Sequence, residues 1–488
     1  MIDLRDLRQN PQKYIEGARD KGIDVDIPRL VALDERARSI QTELETTRAE
    51  QNRISKEIGP EIGKLQKQRQ ALSASRNYVD PSGIDMQIQA LQQKPAQLKQ
   101  EIQKLEDQFA ALRPQIDEIL LQVPLPPDPD VPKGRDSASN VEKRRWNPAW
   151  FDTSKSFEAN KGFAPKTHLE LVRDLALVDF ERAVKMSGAR HYVLTGDGML
   201  LHQAVLRFAF DFITQKHGFR PMSVPVIVRE ECMVGTGFFP AGREQAYHIE
   251  EPGGSALRAD RGDHDSESRA TQHLFLTGTG EVGLMGLHQD EILDAEQLPL
   301  KYCTVSTCFR REAGAAGRDT AGLYRIHQFD KVEQVVICRN DVEESRRWHQ
   351  TMIGIVEELL QALELPYRLL QCCTGDLGPK NADMVDVESW MPGRGELRHE
   401  DGGRDARPTG EYGETHSASR LYDFQCRRLR LRYRDEKGQN IFCHSLNNTV
   451  LASPRILIPI LELYQNQDGT VMVPRALVPY MQGRSKIG

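Results

Sequence analysis

The densest group of side chains that could do chemistry lies between Ser306 and Gln334. Arg310 and Glu312 are two residues apart, so a strand would place both side chains on one face. A loop with four small residues (313–316) follows, and the chain returns through a second set of polar and aromatic residues at even spacing: Arg325, His327, Phe329 and Glu333. Two antiparallel strands would therefore present cations, acids and an aromatic ring to one surface.

Two interpretations of this surface stay open on residue types alone. The arginine guanidinium offers a bidentate fork to phosphate or carboxylate, and Phe329 offers a flat face to a base. The same residues could instead form a ladder of cross-strand ion pairs on a solvated sheet face. The pattern favours a surface that binds anions and a base, without excluding the ladder.

The segments around this stretch predict the elements that position it. After the proline-rich segment 123–134, helical stretches such as 201–218 alternate with short β-rich runs such as 301–310. This order is typical of an α+β domain around an antiparallel sheet. No GxGxxG follows a strand and no GxxxxGK[ST] occurs, so a nucleotide would need another fold. Two polar stretches, 250–270 and 393–413, are expected to be surface loops.

The first third of the chain has a different pattern. Apolar residues recur at alternating spacings of four and three over 33–58 and again over 84–116, which is the heptad repeat of a coiled coil. Between them, 75–83 is rich in turn-forming residues. The sequence therefore predicts an antiparallel helical hairpin over about 30–122. Four residues interrupt the repeats and are expected to kink or locally break the helices: Gly59, Pro60, Pro95 and Pro114.

The function of this hairpin is open from its composition. It could serve only for dimerisation or spacing, or it could be a nucleic-acid-binding arm. Residues 51–100 hold eight basic and four acidic side chains in a chain that is net acidic. Such a bias suits phosphate contact, although a solvated charged face would look similar. The proline-rich segment predicts a stiff, extended linker, and hence domains at 1–125 and 126–488.

The composition of the chain excludes several classes of protein. Its 488 residues are 28% charged with a formal net charge of −6, and no apolar run reaches the roughly 18 residues of a membrane span. The first residues are charged and lack the apolar core of a signal peptide. Eight cysteines without CxxC pairs argue against a disulfide scaffold and a cysteine-rich zinc site. We therefore expect a cytoplasmic protein without a membrane partner and without zinc.

Further segments occur in an order that is similar to one known family. They are 218–228 (motif 1, with Pro225), 276–284 (the TxE element, with Thr279 and Glu281), 308–333 (motif 2), 414–429 (ATP and metal contacts) and 445–465 (motif 3, with Arg455). On these segments the chain resembles the class II aminoacyl-tRNA synthetases, in the form found in seryl-tRNA synthetases. The resemblance implies an α+β fold, in which a long antiparallel coiled-coil hairpin precedes a catalytic domain built on an antiparallel sheet.

The resemblance also implies the reaction and its residues. The serine carboxylate attacks the α-phosphate of ATP, and the seryl group then passes to tRNA. The implied catalytic residues are Arg310, on the α-phosphate and the serine carboxylate, and Arg455, on the γ-phosphate. The implied serine-binding residues are Thr279, Gly280, Glu281, Arg310, Glu333, Asn447 and Thr449. The implied ATP-binding residues are Arg310, Arg311, Glu312, Arg325, Phe329, Glu414, Thr415, His416, Ser417 and Arg455. Glu414 and Ser417 are the implied ligands of Mg²⁺.

The implied partners follow from the same resemblance. The hairpin would bind the long variable arm and elbow of tRNA(Ser) docked at the other subunit, reading shape and phosphates. Motif 1 implies a homodimer. Selenocysteine tRNA is expected to be a further substrate where it is present.

Three positions depart from the family pattern. Gly280 and Gly283 replace an alanine and a proline, which predicts a more flexible serine-binding strand. Pro454 replaces the glycine before Arg455, so the turn there could differ in shape. Two alternatives remain: a relative that activates an amino acid for a carrier protein, which would lack the long arm, and a non-catalytic module, which would have lost Arg310, Glu312 or Arg455.

Overall fold

A computed structural model describes residues 1–73, 80–250, 273–314, 322–395, 397–399 and 406–488. Most of the expected hairpin turn at 75–83 lies outside these residues, as do nearly all of the polar stretch 250–270 and part of 393–413. The described chain forms two compact units. One comprises Asp3–Ile15 and Asp24–Val123, and the other comprises Met1–Ile2, Glu16–Ile23 and Pro124–Gly488.

The first unit is built on two long helices. The helices at the start of the chain are α1 (Leu4–Gln9), α2 (Pro11–Asp20), α3 (Ile27–Ser73) and α4 (Ser82–Gln122). Apolar residues at the predicted heptad positions of α3 and α4, such as Ile40 and Leu105, are buried. Arg69 Nε lies 2.6 Å from Asp85 Oδ1, joining the two helices near their distal ends. The predicted helical hairpin is confirmed in its two helices.

The prolines of the hairpin do not break its helices. Pro60 lies inside α3, and Pro95 and Pro114 lie inside α4. A helix-interior proline loses one backbone hydrogen bond. Here Pro60 and Pro114 are exposed, and buried seam residues such as Leu112 and Ile116 flank Pro114 and hold α4. The expected local breaks were wrong, and at Pro114 packing along the seam outweighs the local cost.

The second unit is an α+β domain, as predicted. Its helices are α5 (Phe157–Lys161), α6 (His168–Asp174), α7 (Phe180–Ser187), α8 (Gly196–Asp211), α9 (Glu230–Gly235), α10 (Glu281–Gly286), α11 (Val342–Ala362), α12 (Phe424–Leu429) and α13 (Leu457–Leu463). Its strands are β1 (Val141–Trp146), β2 (Val178–Asp179), β3 (Val193–Leu194), β4 (Arg220–Met222), β5 (Ile227–Arg229), β6 (Tyr247–Ile249), β7 (Leu274–Leu276), β8 (Ile292–Asp294), β9 (Leu300–Phe309), β10 (Gln328–Cys338), β11 (Tyr367–Gln371), β12 (Asp383–Met391), β13 (Leu397–His399), β14 (Ala406–Pro408), β15 (Glu411–Tyr422), β16 (Arg432–Arg434), β17 (Asn440–Phe442), β18 (His444–Ser453), β19 (Val471–Met472) and β20 (Lys486–Ile487).

An eight-stranded sheet organises this domain. Its order is β1-β11-β12-β15-β18-β10-β9-β4, and all neighbours are antiparallel except β4, which pairs parallel to β9 at one edge. Alternate side chains of the central strands, such as Val332 and Val387, pack into the large core that includes α8 and α11. The residues between them point to the opposite face, which carries the candidate site.

The proline-rich segment after α4 packs against this domain. The amide of Leu125 donates to the carbonyl of Pro379 at 2.9 Å, and the amide of Asp128 donates to Ala382 at 2.9 Å. The Asp128 carboxylate accepts from Tyr422 Oη at 2.9 Å and pairs with the buried guanidinium of Arg420. The segment is not extended throughout, since the amide of Val131 donates to the carbonyl of Asp128 at 3.1 Å in a turn, and it is held on both sides of that turn.

Candidate active site

Motif 2 supplies two adjacent antiparallel strands, β9 and β10. Phe329 pairs with Cys308 and Glu333 pairs with Thr304, as a hairpin of these strands requires. Phe329, Lys331 and Glu333 alternate along β10 and therefore share one face of the sheet. The sequence analysis identified Phe329 and Glu333 and missed Lys331, although the same spacing of two includes it.

Arg310 and Glu312 do not lie on a strand, contrary to the prediction. β9 ends at Phe309, and Glu312 has a φ of 51°, in the left-handed region where the chain turns. Glu312 accepts instead from Arg325 Nη1 at 3.1 Å. The amide of Arg310 donates to His327 O at 2.9 Å, which fixes its backbone just beyond the strand pair. The two residues therefore reach the site through a turn rather than through strand alternation.

One pocket gathers most of the residues implied in ATP binding. The Arg310 guanidinium carbon lies 5.2 Å from the centre of the Phe329 ring. Arg455 lies 4.4 Å from the ring of Tyr324, which the sequence analysis had not singled out. The lining residues that matter chemically are Arg310, Glu312, Tyr324, Arg325, Phe329, Lys331, Glu414, Thr415, Thr449 and Arg455.

Three implied ATP-binding residues lie outside this lining. Arg311 is exposed, and its amide donates to Gln245 O at 2.9 Å. Ser417 lies further along β15 than Thr415. His416 is buried, with Nδ1 2.9 Å from Thr415 Oγ1, and burial lowers its pKa to about 3. Since His416 pairs with Val387, a core residue, its ring faces away from the pocket. The structure thus does not bring His416 to the lining of this pocket, and its assignment to ATP binding stays a prediction.

The residues implied in serine binding are mostly buried at the inner end of this face. Lys331 Nζ donates to Thr279 Oγ1 at 2.8 Å and forms an ion pair with Glu333. Burial raises the pKa of Glu333, opposed by the charge of Lys331. Thr449 pairs with Glu333 across the β10–β18 ladder, and Asn447 is two residues along on the same face. Polar groups thus converge on one small buried region.

The TxE element is not a strand, contrary to the prediction. β7 ends at Leu276, and Glu281 begins the short helix α10. A Cβ at Gly280 would lie 2.4 Å from Thr304 Cγ2, and one at Gly283 would lie 2.6 Å from Val224 Cγ2. Real Cβ atoms do not approach this closely, so both glycines permit tight packing of α10 against its neighbours.

A bulge in β15 brings the implied metal ligands to one face. Glu414 and Ser417 are three apart, and a regular strand would point them in opposite directions. The register shifts between Val387 and Glu388, so Ser417 pairs with Asp386 and Glu414 pairs with Glu388. Asp386 and Glu388 are two apart on β12, so all four side chains share the site face. A carboxylate and a hydroxyl on one face fit Mg²⁺, which needs few protein oxygens.

A cysteine and two acids lie next to this face. Cys372, Asp376 and Asp386 have ligand atoms within 4.8 Å of one another. The pKa of Asp386 is well above its usual range because the group is buried and faces the charge of Glu414. No spacing in the sequence indicated this cluster, since its members come from separate parts of the β11–β12 connection and β12.

Comparison with known proteins places these features in a family. The model of the tRNA synthetase class II core domain (G, H, P, S and T) matches residues 264–464, and that of the seryl-tRNA synthetase N-terminal domain matches residues 1–127. Fold and site thus define a class II aminoacyl-tRNA synthetase. The serine–tRNA ligase of Deinococcus radiodurans is 39% identical, covering 100% of this chain and 99% of that protein. That of Treponema denticola is 35% identical, with 100% of each covered.

A solved structure agrees with these relatives. Seryl-tRNA synthetase from Pyrococcus horikoshii, complexed with ATP, has a TM-score of 0.77 and 34% identity, covering 100% of this chain and 99% of that chain. The chain therefore belongs to the seryl-tRNA synthetase family, the class II serine–tRNA ligases. Within the described part of the chain, no helix has the length and apolar character needed to cross a membrane.

Proposed function

We propose that this chain ligates L-serine to tRNA(Ser) through a seryl-adenylate intermediate, releasing pyrophosphate and then AMP. The observation that carries the proposal is the face of β10. Phe329, Lys331 and Glu333 form a row on it, with Arg310 beside Phe329 and the buried Thr279 beside Lys331. Such a row provides a flat surface for a base, a cation for phosphate or carboxylate, and an acid for an ammonium group.

Adenylate formation brings two anions together, so it needs fixed positive charge. Arg310 Nε donates to Gly278 O at 3.4 Å, and Arg455 Nε donates to Tyr324 O at 3.1 Å. Each guanidinium is thus held through Nε and keeps N–H groups for substrate. We assign Arg310 to the α-phosphate and the serine carboxylate, and Arg455 to the γ-phosphate. Phe329 stacks on adenine, with Glu312, Arg325 and Thr415 around it.

Selection of serine follows from polar groups that only a hydroxyl satisfies. Glu333, Asn447 and Thr449 share one face and are buried or partly buried. Alanine would not supply the hydrogen bonds that the serine hydroxyl gives to Asn447 and Thr449, which is costly in a buried site. We assign Thr279 and Glu281 to the substrate ammonium group. We assign the exclusion of threonine to the size of its additional methyl group.

Glu414 and Ser417 are the residues that we assign to Mg²⁺. When bound there, the ion neutralises charge on the ATP phosphates. Ser417 also hydrogen-bonds Asp386, so a second carboxylate lies close to the hydroxyl. We propose no zinc in this site.

In the second step, a terminal ribose hydroxyl of tRNA attacks the activated carbonyl, and we assign this step to positioning. We propose that the hairpin of α3 and α4 (within domain 1–125) binds tRNA(Ser) and, where present, selenocysteine tRNA. We also propose that the protein is a homodimer, formed through motif 1, and that it works in the cytoplasm. The homodimer is supported by exposed apolar side chains in motif 1 and in nearby elements: Ile227, Leu287, Ile292 and Val305.

Serine-dependent exchange between ATP and pyrophosphate tests this proposal, with threonine, alanine and cysteine as controls. We expect exchange with serine and little with the other three amino acids. Charging of tRNA(Ser) and of selenocysteine tRNA is then measured with the same protein. Exchange with none of the four amino acids would favour the non-catalytic module, and transfer of serine to a carrier protein would favour the second alternative.

A further inference from the structure

A lysine outside every motif lies against the serine-binding residues. Lys380, in the connection between β11 and β12, donates through Nζ to both carboxylate oxygens of Glu281, at 2.8 and 2.7 Å. The Glu281 residue is only 2% exposed, and its Oε1 also accepts from Gln425 Nε2 at 2.7 Å. The carboxylate assigned to the substrate ammonium group thus already has a cationic partner.

The backbone around Lys380 is held on both sides. Lys21 Nζ donates to the carbonyls of Gly378 at 3.0 Å and of Asn381 at 2.5 Å. Asn381 Nδ2 donates to Ser419 Oγ at 2.7 Å. Any adjustment at this position therefore falls on the Lys380 side chain.

The ammonium group of Lys380 makes a second favourable contact in the position where it pairs with Glu281. Its Nζ lies 4.0 Å from the centre of the Phe238 ring, within the range of a cation–π contact. An ammonium group that withdraws from Glu281 can keep this contact. The Glu281 carboxylate is therefore occupied by one cation that also has a neutral aromatic partner.

The charges in this region are balanced before any substrate binds. Lys331 pairs with Glu333, and Lys380 pairs with Glu281. A third cation, the substrate ammonium group, must share a carboxylate with a lysine and is repelled by it. A buried carboxylate that had lost its lysine would be uncompensated, and it would bind an incoming cation more strongly.

We propose that Lys380 sets the affinity for serine by competing with the substrate ammonium group for the Glu281 carboxylate. The inference rests on the proposed function, because it takes Glu281 as a ligand of that group. Lys380 acts through Glu281, so it is a positioning residue that affects substrate binding.

The test compares Lys380→Met and Lys380→Arg in serine-dependent pyrophosphate exchange with the full chain. Two competitive inhibitors separate the charges of serine: serinol keeps the ammonium group without the carboxylate, and 3-hydroxypropionate keeps the carboxylate without the ammonium group. In Lys380→Met we expect the KM for serine and the inhibition constant of serinol to fall about fivefold to tenfold, with kcat little changed. The inhibition constant of 3-hydroxypropionate stays the same, and Lys380→Arg restores the wild-type values.

The matched control is Lys161→Met, since Lys161 Nζ lies 4.4 Å from the ring of Trp150, away from the site. Lys380→Gln replaces the methionine variant if that protein does not fold. A KM for serine that rises or stays unchanged, or equal shifts for both inhibitors, would overturn the inference. Calorimetric titration with serinol needs no catalysis. Loss of exchange in the wild type with a retained effect of Lys380 on serinol would therefore overturn the proposed function alone.

Discussion

At the scale of single residues, the site arginines are held by backbone carbonyls. Arg310 donates to Gly278 O, and Arg455 donates to Tyr324 O and, through Nη1 at 3.1 Å, to Glu414 O. The Glu414 carboxylate is 3.7 Å from Arg455. The neutral carbonyl that holds Arg310 orients its guanidinium without cancelling its charge, whereas the charge of Arg455 is partly offset by Glu414.

This arrangement predicts the effect of replacing Arg310. Lysine keeps the charge but loses the bidentate fork, so Arg310→Lys should lower the rate of pyrophosphate exchange by about 100-fold, and Arg310→Ala by more. Arg182→Ala, which removes an exposed arginine paired with Asp179, is the control and should keep wild-type exchange. Unchanged exchange in Arg310→Ala, with a folded protein, would contradict the assignment.

A second residue-scale prediction concerns acid stability. Burial lowers the pKa of His444 to about 4, and its Nδ1 lies 2.8 Å from Ser345 Oγ. Between pH 6.5 and 4 the unfolded chain binds a proton that the folded chain does not, so stability falls as the pH falls, by up to about 3 kcal/mol. His444→Gln removes this loss of stability. The variant should unfold at a lower urea concentration than the wild type at pH 7, and this difference between the two urea midpoints should be smaller at pH 4.5. If the urea midpoints of the wild type and of His444→Gln changed equally with pH, His444 would not be the cause of the acid destabilisation.

At the scale of elements, simple periodicity predicted some of the site and failed where periodicity ends. Alternation along β10 correctly put Phe329 and Glu333 on one face, and it also contained Lys331. It failed for Arg310 and Glu312, because β9 stops at Phe309 and a left-handed residue turns the chain. A strand end depends on which partner is available, and local sequence does not encode that.

The hairpin and the contact of Lys380 with Glu281 also show what local sequence patterns predict and what they miss. The heptad repeat predicted α3 and α4, while their prolines were overestimated as breakers because seam packing is a tertiary effect. The cluster of Lys380 with Glu281 joins positions 99 apart in sequence, and no spacing rule reaches that far. Lys380 therefore could not be found from the chain alone.

The bulge of β15 predicts that Glu414 and Ser417 both contribute to the binding of Mg²⁺. Because Glu414 and Ser417 share the site face, Glu414→Gln and Ser417→Ala should each raise the Mg²⁺ concentration for half-maximal exchange, Glu414→Gln by about tenfold or more. Glu411→Gln, on the same strand and exposed, is the control and should keep the wild-type requirement. If only Glu414→Gln changed the requirement, Ser417 would not be a ligand.

At the scale of the whole molecule, the two units have separate cores. The hairpin buries its own seam between α3 and α4, and the large core of the second unit is formed by residues from Phe151 onward. Each unit can thus be altered with its neighbour's core intact. In the proposed function, serine activation is assigned to the second unit, and tRNA binding is assigned to the hairpin of the first.

Removal of residues 39–112 tests this division. Without the distal hairpin, the KM for serine and the rate of pyrophosphate exchange should stay within about twofold of wild type, while the KM for tRNA(Ser) should rise by at least about tenfold, since phosphate contacts supply much of nucleic-acid affinity.

A finer variant keeps the hairpin and reverses two exposed charges, Lys64→Glu with Lys67→Glu. It should raise the KM for tRNA less than the deletion does, and the effect should shrink as salt concentration increases. Its matched control is Glu43→Lys with Glu50→Lys, nearer the base of α3, which adds positive charge and should not weaken tRNA binding. Equal charging of tRNA by the deletion variant would show that the hairpin has another role, and an effect of the charge reversal that ignores salt would mean that those lysines act through packing rather than through phosphates.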